Sequence, residues 1–427
     1  MKTIPHFAKK RLLKHWLSSD GRLVFTRYNG QPIDTQGIDN LYLHIPFCRN
    51  TCPYCPYYKE NYNNEKAARF EQALLAEIAL HTPWLAGKTM QSLYIGGGTP
   101  TLLNNLLRQA VDTLRGVCTI EHVALETNPE EMTPETIRTL QHIGCNLLSL
   151  GIQDFHQKHL DLLGRTYTPD LARKAIDKAL EVGFETVNLD FIFAYPDQTM
   201  QELDETLRQA VATQAQQLTF YPLFTFPYST VGRFRKLEKV VMPGKNLRKR
   251  MYYHLCHTLI AAGYRQISVW SFYKGSGTKY SSVTRDRFLG LGPSAGTYTG
   301  KQFLFNTFNM EQYLTQTPLD RLPFAYTMDV PPALERLFWV YWRLYETTIP
   351  VDYYKELFNR DFNHDFGFWI WACRLAGICT KRENNLQLTK KGIHQIHLLQ
   401  NHFALDFVNK IWSSCTETPV PETVTLI

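Results

Sequence analysis

Cys48, Cys52 and Cys55 crowd into eight residues with the spacing C-x3-C-x2-C, directly after the apolar run Leu41–Ile45. Soft thiolates select zinc, copper(I) or iron–sulfur clusters. A structural zinc site takes four protein ligands. No fourth Cys or His sits at finger spacing, and His44 precedes the triad on the apolar run. Three thiolates on one loop suit a cubane iron–sulfur cluster in which one iron keeps an open position. A zinc knuckle completed by a distant residue is the competing assignment. The other six cysteines, Cys118, Cys145, Cys256, Cys373, Cys379 and Cys415, are scattered. In a chain of this size they read as thiols or core residues rather than a disulfide framework.

A second chemical feature is Ile95-Gly96-Gly97-Gly98-Thr99-Pro100, which follows an apolar run and precedes a helical pattern. Glycines there let backbone groups approach a ligand closely. Four polar residues then recur at or just beyond the ends of apolar runs: Glu126 in VALETNPE, Gln153 in SLGIQDF, Arg165 in LLGRTYT and Asp190 in VNLDFIF. Carboxylates accept hydrogen bonds from hydroxyls, and a guanidinium grips a carboxylate as a two-pronged fork.

The segment LYLHIPFCRNTCPYCPYY resembles the cluster loop of the radical S-adenosylmethionine (SAM) superfamily. Its nearest likeness is to the branch holding the oxygen-independent coproporphyrinogen III oxidases, the heme chaperones and the class C methyltransferases. The resemblance implies that Cys48, Cys52 and Cys55 ligate a 4Fe-4S cluster whose open iron chelates SAM. One electron from the reduced cluster then cleaves the sulfonium and releases a 5′-deoxyadenosyl radical. Gly97, Gly98 and Thr99 match the family's GGGTP motif, which holds the amino group of SAM. Glu126, Gln153, Arg165 and Asp190 match residues that contact its ribose and carboxylate. Tyr42, six residues before Cys48, corresponds to a family tyrosine near the sulfonium and is expected to bind the cofactor and serve catalysis. A reduced electron donor such as a flavodoxin or ferredoxin is implied, and in the methyltransferases a second SAM. The segment FLGLGPSAGTY, Phe288–Tyr298, is also similar to a Gly-x-Gly-x-x-Ala stretch of the family.

Several positions depart from the family pattern. Ala194 and Tyr195 stand where a glycine and a leucine are usual. Pro56-Tyr57-Tyr58 makes the loop after the triad richer in Pro and Tyr, and Lys279-Tyr280-Ser281-Ser282 replaces a His-Asn pair followed by Tyr-Trp. The oxidases carry an N-terminal arm with an Arg-Tyr pair, whereas this chain offers only Arg27-Tyr28 in FTRYNGQP.

The elements that must position these residues alternate. Strands are expected at Leu41–Ile45, Ser92–Ile95, His122–Glu126, Asn146–Leu150, Thr186–Phe193 and Leu218–Leu223. Helices are expected between them at Glu65–His81, Leu102–Val117, Pro134–His142, Thr168–Val182 and Met200–Thr213. Thr133-Pro134-Glu135 is a helix start and Gly144 and Gly183 are helix stops. Such alternation makes a parallel sheet with its chemistry at the C-terminal strand ends. Residues 226–300 read as mixed strand and loop, and the four prolines between Thr315 and Pro332 as a linker. Beyond them, helices at Ala333–Tyr345, Asp365–Leu375 and Lys391–Leu405 surround two short strands joined by Glu383-Asn384-Asn385, the pattern of a small winged-helix unit. The expected fold is α/β, a partial (β/α)6 TIM-like barrel with a C-terminal α-rich, winged-helix-like domain. The expected units are an extension over 1–39, a core over 40–315 and a C-terminal domain over 330–415.

The chain has 427 residues, 44% hydrophobic and 20% charged, which excludes intrinsic disorder and exceeds one ordinary domain. No run approaches the ~18 apolar residues a membrane helix needs. The basic N-terminus lacks an apolar core, so it does not read as a secretory signal, though it passes as a weak amphipathic targeting helix. The cytosol is the expected compartment. A net charge of +7 suits anionic ligands and nucleic acid alike. The expected activity is reductive SAM cleavage followed by one-carbon transfer or oxidative decarboxylation on a tetrapyrrole-like or other aromatic substrate. The alternative is a heme-binding chaperone, with His122, His142 and His156 as candidate ligands. The weaker alternative is nucleic-acid binding through the winged-helix-like unit, with Lys381, Arg382, Lys390 and Lys391 near its wing.

Overall fold

The computed structural model describes residues 22–225, 241–281, 286–403, 409–415 and 421–426. Residues 1–21, Ser282 and Leu405 lie outside them, and with them the expected targeting helix. Six parallel strands stand side by side in chain order: Asn40–Ile45, Thr89–Gly97, Thr119–Thr127, Cys145–Gln153, Thr186–Phe193 and Gln217–Pro222. Each buries one apolar face, on which Leu41, Leu43, Leu93, Ile95, Leu148, Leu150, Leu189 and Phe191 are fully buried, while alternate positions carry polar side chains such as Glu126, Ser149, Asn188 and Asp190. The sheet does not close on itself among the described residues. Phe288–Leu291 pairs in parallel with the first strand, and Ser271–Tyr273 pairs antiparallel with the sixth.

Local chemistry explains the helices between these strands. Thr133 caps Pro134–His142 through Thr136 N–H, and Thr168 caps Pro169–Val182 through Leu171 N–H. Thr199 and Glu202 form a reciprocal capping box at the start of Met200–Ala212. Each crossover is therefore locked at its entry, directly after a strand end that faces the site.

Two expectations are corrected. The proline-rich stretch is no linker: Phe324–Asp329 is a strand paired with Gln302–Asn306 and with Val24–Arg27. Its prolines fall outside the strand, Pro318 opening a short 3-10 turn and Pro331 and Pro332 starting the next helix, so they never interrupt the ladder. The stretch 226–300 also holds a long helix, Lys245–Ala261, which buries Met251, Tyr252, Leu255 and Leu259 along one side. A tyrosine in the stripe and a basic first half hide that period in the sequence.

At the C-terminal end, Pro332–Tyr345, Val351–Phe358 and Phe362–Leu375 precede the hairpin Cys379–Arg382 and Asn385–Leu388, to which Thr348–Pro350 adds a third strand; Lys390–Phe403 follows. Arg27 pairs with Glu422 and Tyr28 donates to the Gln31 carbonyl. No described helix is long and apolar enough to cross a membrane.

The glycine-rich segment near residue 290 is a packing device. Gly292 has φ +97°, and a Cβ there would lie 2.3 Å from the His44 carbonyl oxygen. Its N–H donates to the buried Glu77 carboxylate at 2.7 Å, and its carbonyl accepts from Asn306 at 2.8 Å. Overpacking and the left-handed backbone together make Gly292→Ala cost about 2–4 kcal/mol. Thermal or urea denaturation should register it as a loss of several degrees or a lower midpoint; an unchanged transition would mean the first strand yields to the methyl group.

Candidate functional site

A cavity of about 690 Å³ opens at the C-terminal ends of the parallel strands. Its lining brings together Cys48, Cys52 and Cys55 with Gly97, Gly98, Thr99, Glu126, Gln153, Arg165 and Asp190. Ten of the eleven candidate site residues therefore converge on one space, although they are spread over 143 positions from Cys48 to Asp190.

The cysteine loop leaves the first strand at Phe47, which is fully buried. Backbone bonds hold its shape: Tyr62 N–H to the Cys48 carbonyl at 2.9 Å and Cys55 N–H to the Cys52 carbonyl at 3.3 Å. Lys59 Nζ donates to the Cys55 carbonyl at 2.9 Å and stands among the cavity residues. All three cysteines are free thiols, half-buried. Their sulfurs are not packed as around one ion. Among the described residues, only Asp154, His156 and His159 bring three ligand atoms within 4.8 Å of one another. Tetrahedral thiolates on one zinc lie roughly 3.8 Å apart for Zn–S bonds of ~2.3 Å. A wider triad facing one cavity fits the donor set that a multi-iron core takes. Burial pushes the Cys48 thiol up to about 11, with Cys55 and Cys52 adding repulsion, and burial likewise raises Cys55. The pocket alone thus favours neutral thiols, and bound iron would supply the positive charge that three thiolates need.

The glycine turn packs directly on that loop. Gly98 N–H donates to the Ile45 carbonyl at 2.8 Å and Thr99 N–H to the Phe47 carbonyl at 2.7 Å. A Cβ on Gly98 would meet Phe47 O at 2.4 Å, and Gly97 has φ +116°. With those amides committed, the turn offers acceptors, which suits an ammonium donor rather than an anion.

Further round the arc, Glu126 accepts from the Tyr94 hydroxyl and from the Tyr280 hydroxyl at 3.3 Å, and Tyr280 donates to Tyr94 at 2.7 Å. Gln153 sits at φ +67°, its carbonyl held by the Tyr195 hydroxyl at 3.0 Å and its side-chain oxygen by the Tyr221 hydroxyl at 3.2 Å. Tyr195 in turn stacks on His159, with centroids 4.3 Å apart. The departure from the family pattern at Tyr195 thus buttresses Gln153, while Ala194 adopts φ +62° with its N–H bound to Gln198 Oε1 at 2.6 Å.

Arg165 donates to the Tyr54 hydroxyl at 2.8 Å, and its guanidinium lies about 6 Å from the centroids of the Tyr54 and Tyr167 rings. Its Nε is buried with no hydrogen-bond partner, and no described carboxylate pairs with it. A half-buried cation with no counter-anion among the described residues favours the binding of an anion beside it. Asp190 is half-buried in the cavity lining and accepts from Ser149 Oγ and Asn188 Nδ2, both at 2.9 Å. Burial raises its carboxyl to about 6 against those two bonds.

Tyr42 is not brought to the cavity. Its hydroxyl bonds His44 Nδ1 at 2.7 Å and its ring stacks on Tyr94, which stands between it and Glu126. The histidines are also elsewhere: His122 bonds Asn146, His142 bonds Asp112 and His156 bonds Asp154, and the described cavity lining contains no histidine. Lys381 and Arg382 are exposed on the hairpin, and Lys391 donates to the Ala376 carbonyl.

The outer wall was not legible as a motif. Phe224, Trp270, Tyr341, Trp342 and Tyr345 line it, with Lys279 and Glu346 as charged members. The helix Pro332–Tyr345 therefore builds part of the same cavity as the strands.

Comparison with known proteins supports the same picture. Residues 42–210 match the model of the Radical SAM superfamily, whose members bind a 4Fe-4S cluster and SAM. The chain is 26% identical over 297 residues to a protein of Bacillus subtilis named heme chaperone HemW, covering 68% of this chain and 78% of that one. It is 28% identical over 304 residues to the oxygen-independent coproporphyrinogen III oxidase of Pseudomonas aeruginosa, covering 66% and 65%. The fold matches the solved structure of the Escherichia coli coproporphyrinogen III oxidase HemN with a TM-score of 0.74 at 22% identity, covering 89% of this chain and 95% of that chain.

Proposed function

We propose that this chain, which carries a radical SAM domain with homologues among the heme chaperones and the oxygen-independent coproporphyrinogen oxidases, binds a 4Fe-4S cluster and SAM and uses them on a tetrapyrrole-like or other flat aromatic molecule. The observation that carries the reading is the convergence of three thiols, a glycine turn and a half-buried guanidinium with no described carboxylate partner on one cavity. When bound, the cluster supplies the single electron that breaks the sulfonium of SAM.

The chain's own residues would do the rest. Cys48, Cys52 and Cys55 hold the cluster and leave one iron unclaimed by protein. Acceptors of the Gly97–Thr99 turn take the ammonium of SAM, and Arg165 takes its carboxylate. Glu126 and Asp190 accept from ribose hydroxyls, and Gln153 stands between them. Tyr94 and Tyr280 keep Glu126 in place. The aromatic outer wall keeps water from the reacting carbon and receives the flat partner. One-carbon transfer and oxidative decarboxylation both remain within this chemistry, and a flavodoxin- or ferredoxin-like donor would deliver the electron.

Product analysis tests the reading. The reconstituted protein, given dithionite, SAM and coproporphyrinogen III without oxygen, should form 5′-deoxyadenosine. S-adenosylhomocysteine beside it marks methyl transfer; carbon dioxide marks decarboxylation. Stoichiometric heme uptake with no 5′-deoxyadenosine would instead assign the chaperone role, which the HemW relatives favour.

Asp190 gives this site a pH signature. Its folded value of about 6 lies above the ~3.9 of an unfolded aspartate. The native state therefore holds the extra proton between the two, and the ligand-free fold loses stability as pH rises through that window. Ribose hydroxyls donate to the ionised form, so SAM should bind more tightly as pH climbs from 5 to 7. Thermal shift by SAM should be larger at pH 7 than at pH 5, and Asp190→Asn should flatten that difference. Equal shifts at both pH values would remove Asp190 from the nucleotide site.

A further inference from the structure

Among the described residues, a hydrogen bond joins a side chain of the C-terminal helix Lys390–Phe403 to a cavity side chain. Trp270 lines the cavity, and its indole Nε1–H donates to His397 Nδ1 at 2.8 Å. His397 is buried and lies flat on Tyr252, with centroids 4.7 Å apart at 23°. Tyr252 in turn donates to the Val269 carbonyl at 2.8 Å. The neighbouring backbone is tied to the other cavity helix, because Val269 N–H donates to the Tyr345 carbonyl at 3.0 Å. The Trp270 ring meets Tyr345 edge-on at 5.6 Å and Phe224 at 5.3 Å, and both of those line the cavity.

We propose that His397 is a positioning residue for the substrate end of the cavity: it fixes the indole of Trp270 as one wall of an aromatic slot completed by Phe224 and Tyr345. The slot rests on the function proposed above only in its choice of ligand, a flat conjugated molecule. An indole ring turns about two bonds, and Phe224 and Tyr345 meet it by edges that tolerate several orientations. The one directed contact that selects an orientation is the bond to His397. Burial holds the imidazole neutral, with its pKa pushed down to about 3. A neutral ring that accepts at Nδ1 carries its proton at Nε2. This gives the C-terminal unit a part in ligand selection without touching the ligand. The SAM end is built on other elements, the strands Thr89–Gly97 to Thr186–Phe193.

A double-mutant cycle separates this role from simple folding damage. His397→Leu removes the acceptor, and Trp270→Phe removes the donor while keeping a ring. His397→Asn restores an acceptor at nearly the same distance from the backbone. With iron protoporphyrin IX as the probe, each of the first two variants should weaken binding about 3- to 10-fold. The double variant should be no weaker than the worse single, and His397→Asn should regain most of the loss. Formation of 5′-deoxyadenosine without porphyrin should stay unchanged in His397→Leu and in His397→Asn. Losses that multiply, or binding that ignores all of these variants, overturn the proposal. If the parent protein takes up no porphyrin, the ligand class proposed above fails. The latch is then judged on amide hydrogen exchange across 265–273: faster in His397→Leu and restored in His397→Asn supports it, and no change in either overturns it.

Discussion

Replacing Cys52 with alanine should reduce bound iron from about four per chain to a small residue and abolish 5′-deoxyadenosine formation. The expected loss in rate is at least a thousandfold, since two thiolates no longer close a stable cradle. Iron analysis and single-turnover SAM cleavage under anaerobic conditions measure both quantities. Cys48→Ala and Cys55→Ala should behave alike, because the three sulfurs face one cavity and none is paired with another cysteine. Cys118→Ala, deep in the core beside Leu114, should leave iron unchanged. Full iron retention in any triad variant would contradict the ligand assignment.

Arg165→Leu should raise the dissociation constant for SAM about 100-fold, the scale of a charge-assisted, two-pronged bond to a carboxylate. It should do so without weakening the fold. Arg165 has a buried Nε with no hydrogen-bond partner and no described carboxylate beside it, so a shorter apolar side chain removes a charge that no described carboxylate balances. The melting temperature should stay level or rise. Arg165→Lys should recover only part of the affinity, because an ammonium cannot reproduce the fork. A lower melting temperature with unchanged SAM binding would make Arg165 a structural cation instead.

The core was legible for a physical reason. Several of the parallel strands between residues 40 and 222 are followed by helices with their own capped starts, such as Pro134–His142, Pro169–Val182 and Met200–Ala212, so local pattern and tertiary fold agree. Thr186–Phe193 and Pro134–His142 fall on the expected residues. The site residues were legible because they sit at the ends of those strands, where the fold concentrates ligand contacts. What escaped depends on distant pairing. Phe324–Asp329 becomes a strand because Gln302–Asn306 and Val24–Arg27 flank it, and nothing local announces that. The aromatic wall draws Phe224, Trp270 and Tyr345 from three separate segments, with no spacing rule among them. The side chain of Tyr42 stacks on Tyr94 rather than joining the described cavity lining, a placement that its position on the strand does not announce.

The most direct measurement is electron paramagnetic resonance of the dithionite-reduced, iron-loaded protein, recorded before and after adding SAM. A spectrum that shifts on SAM addition is the expected result, because the cofactor would then reach an iron that no side chain occupies. A cluster signal indifferent to SAM, or a protein that takes up zinc and no iron, would contradict it.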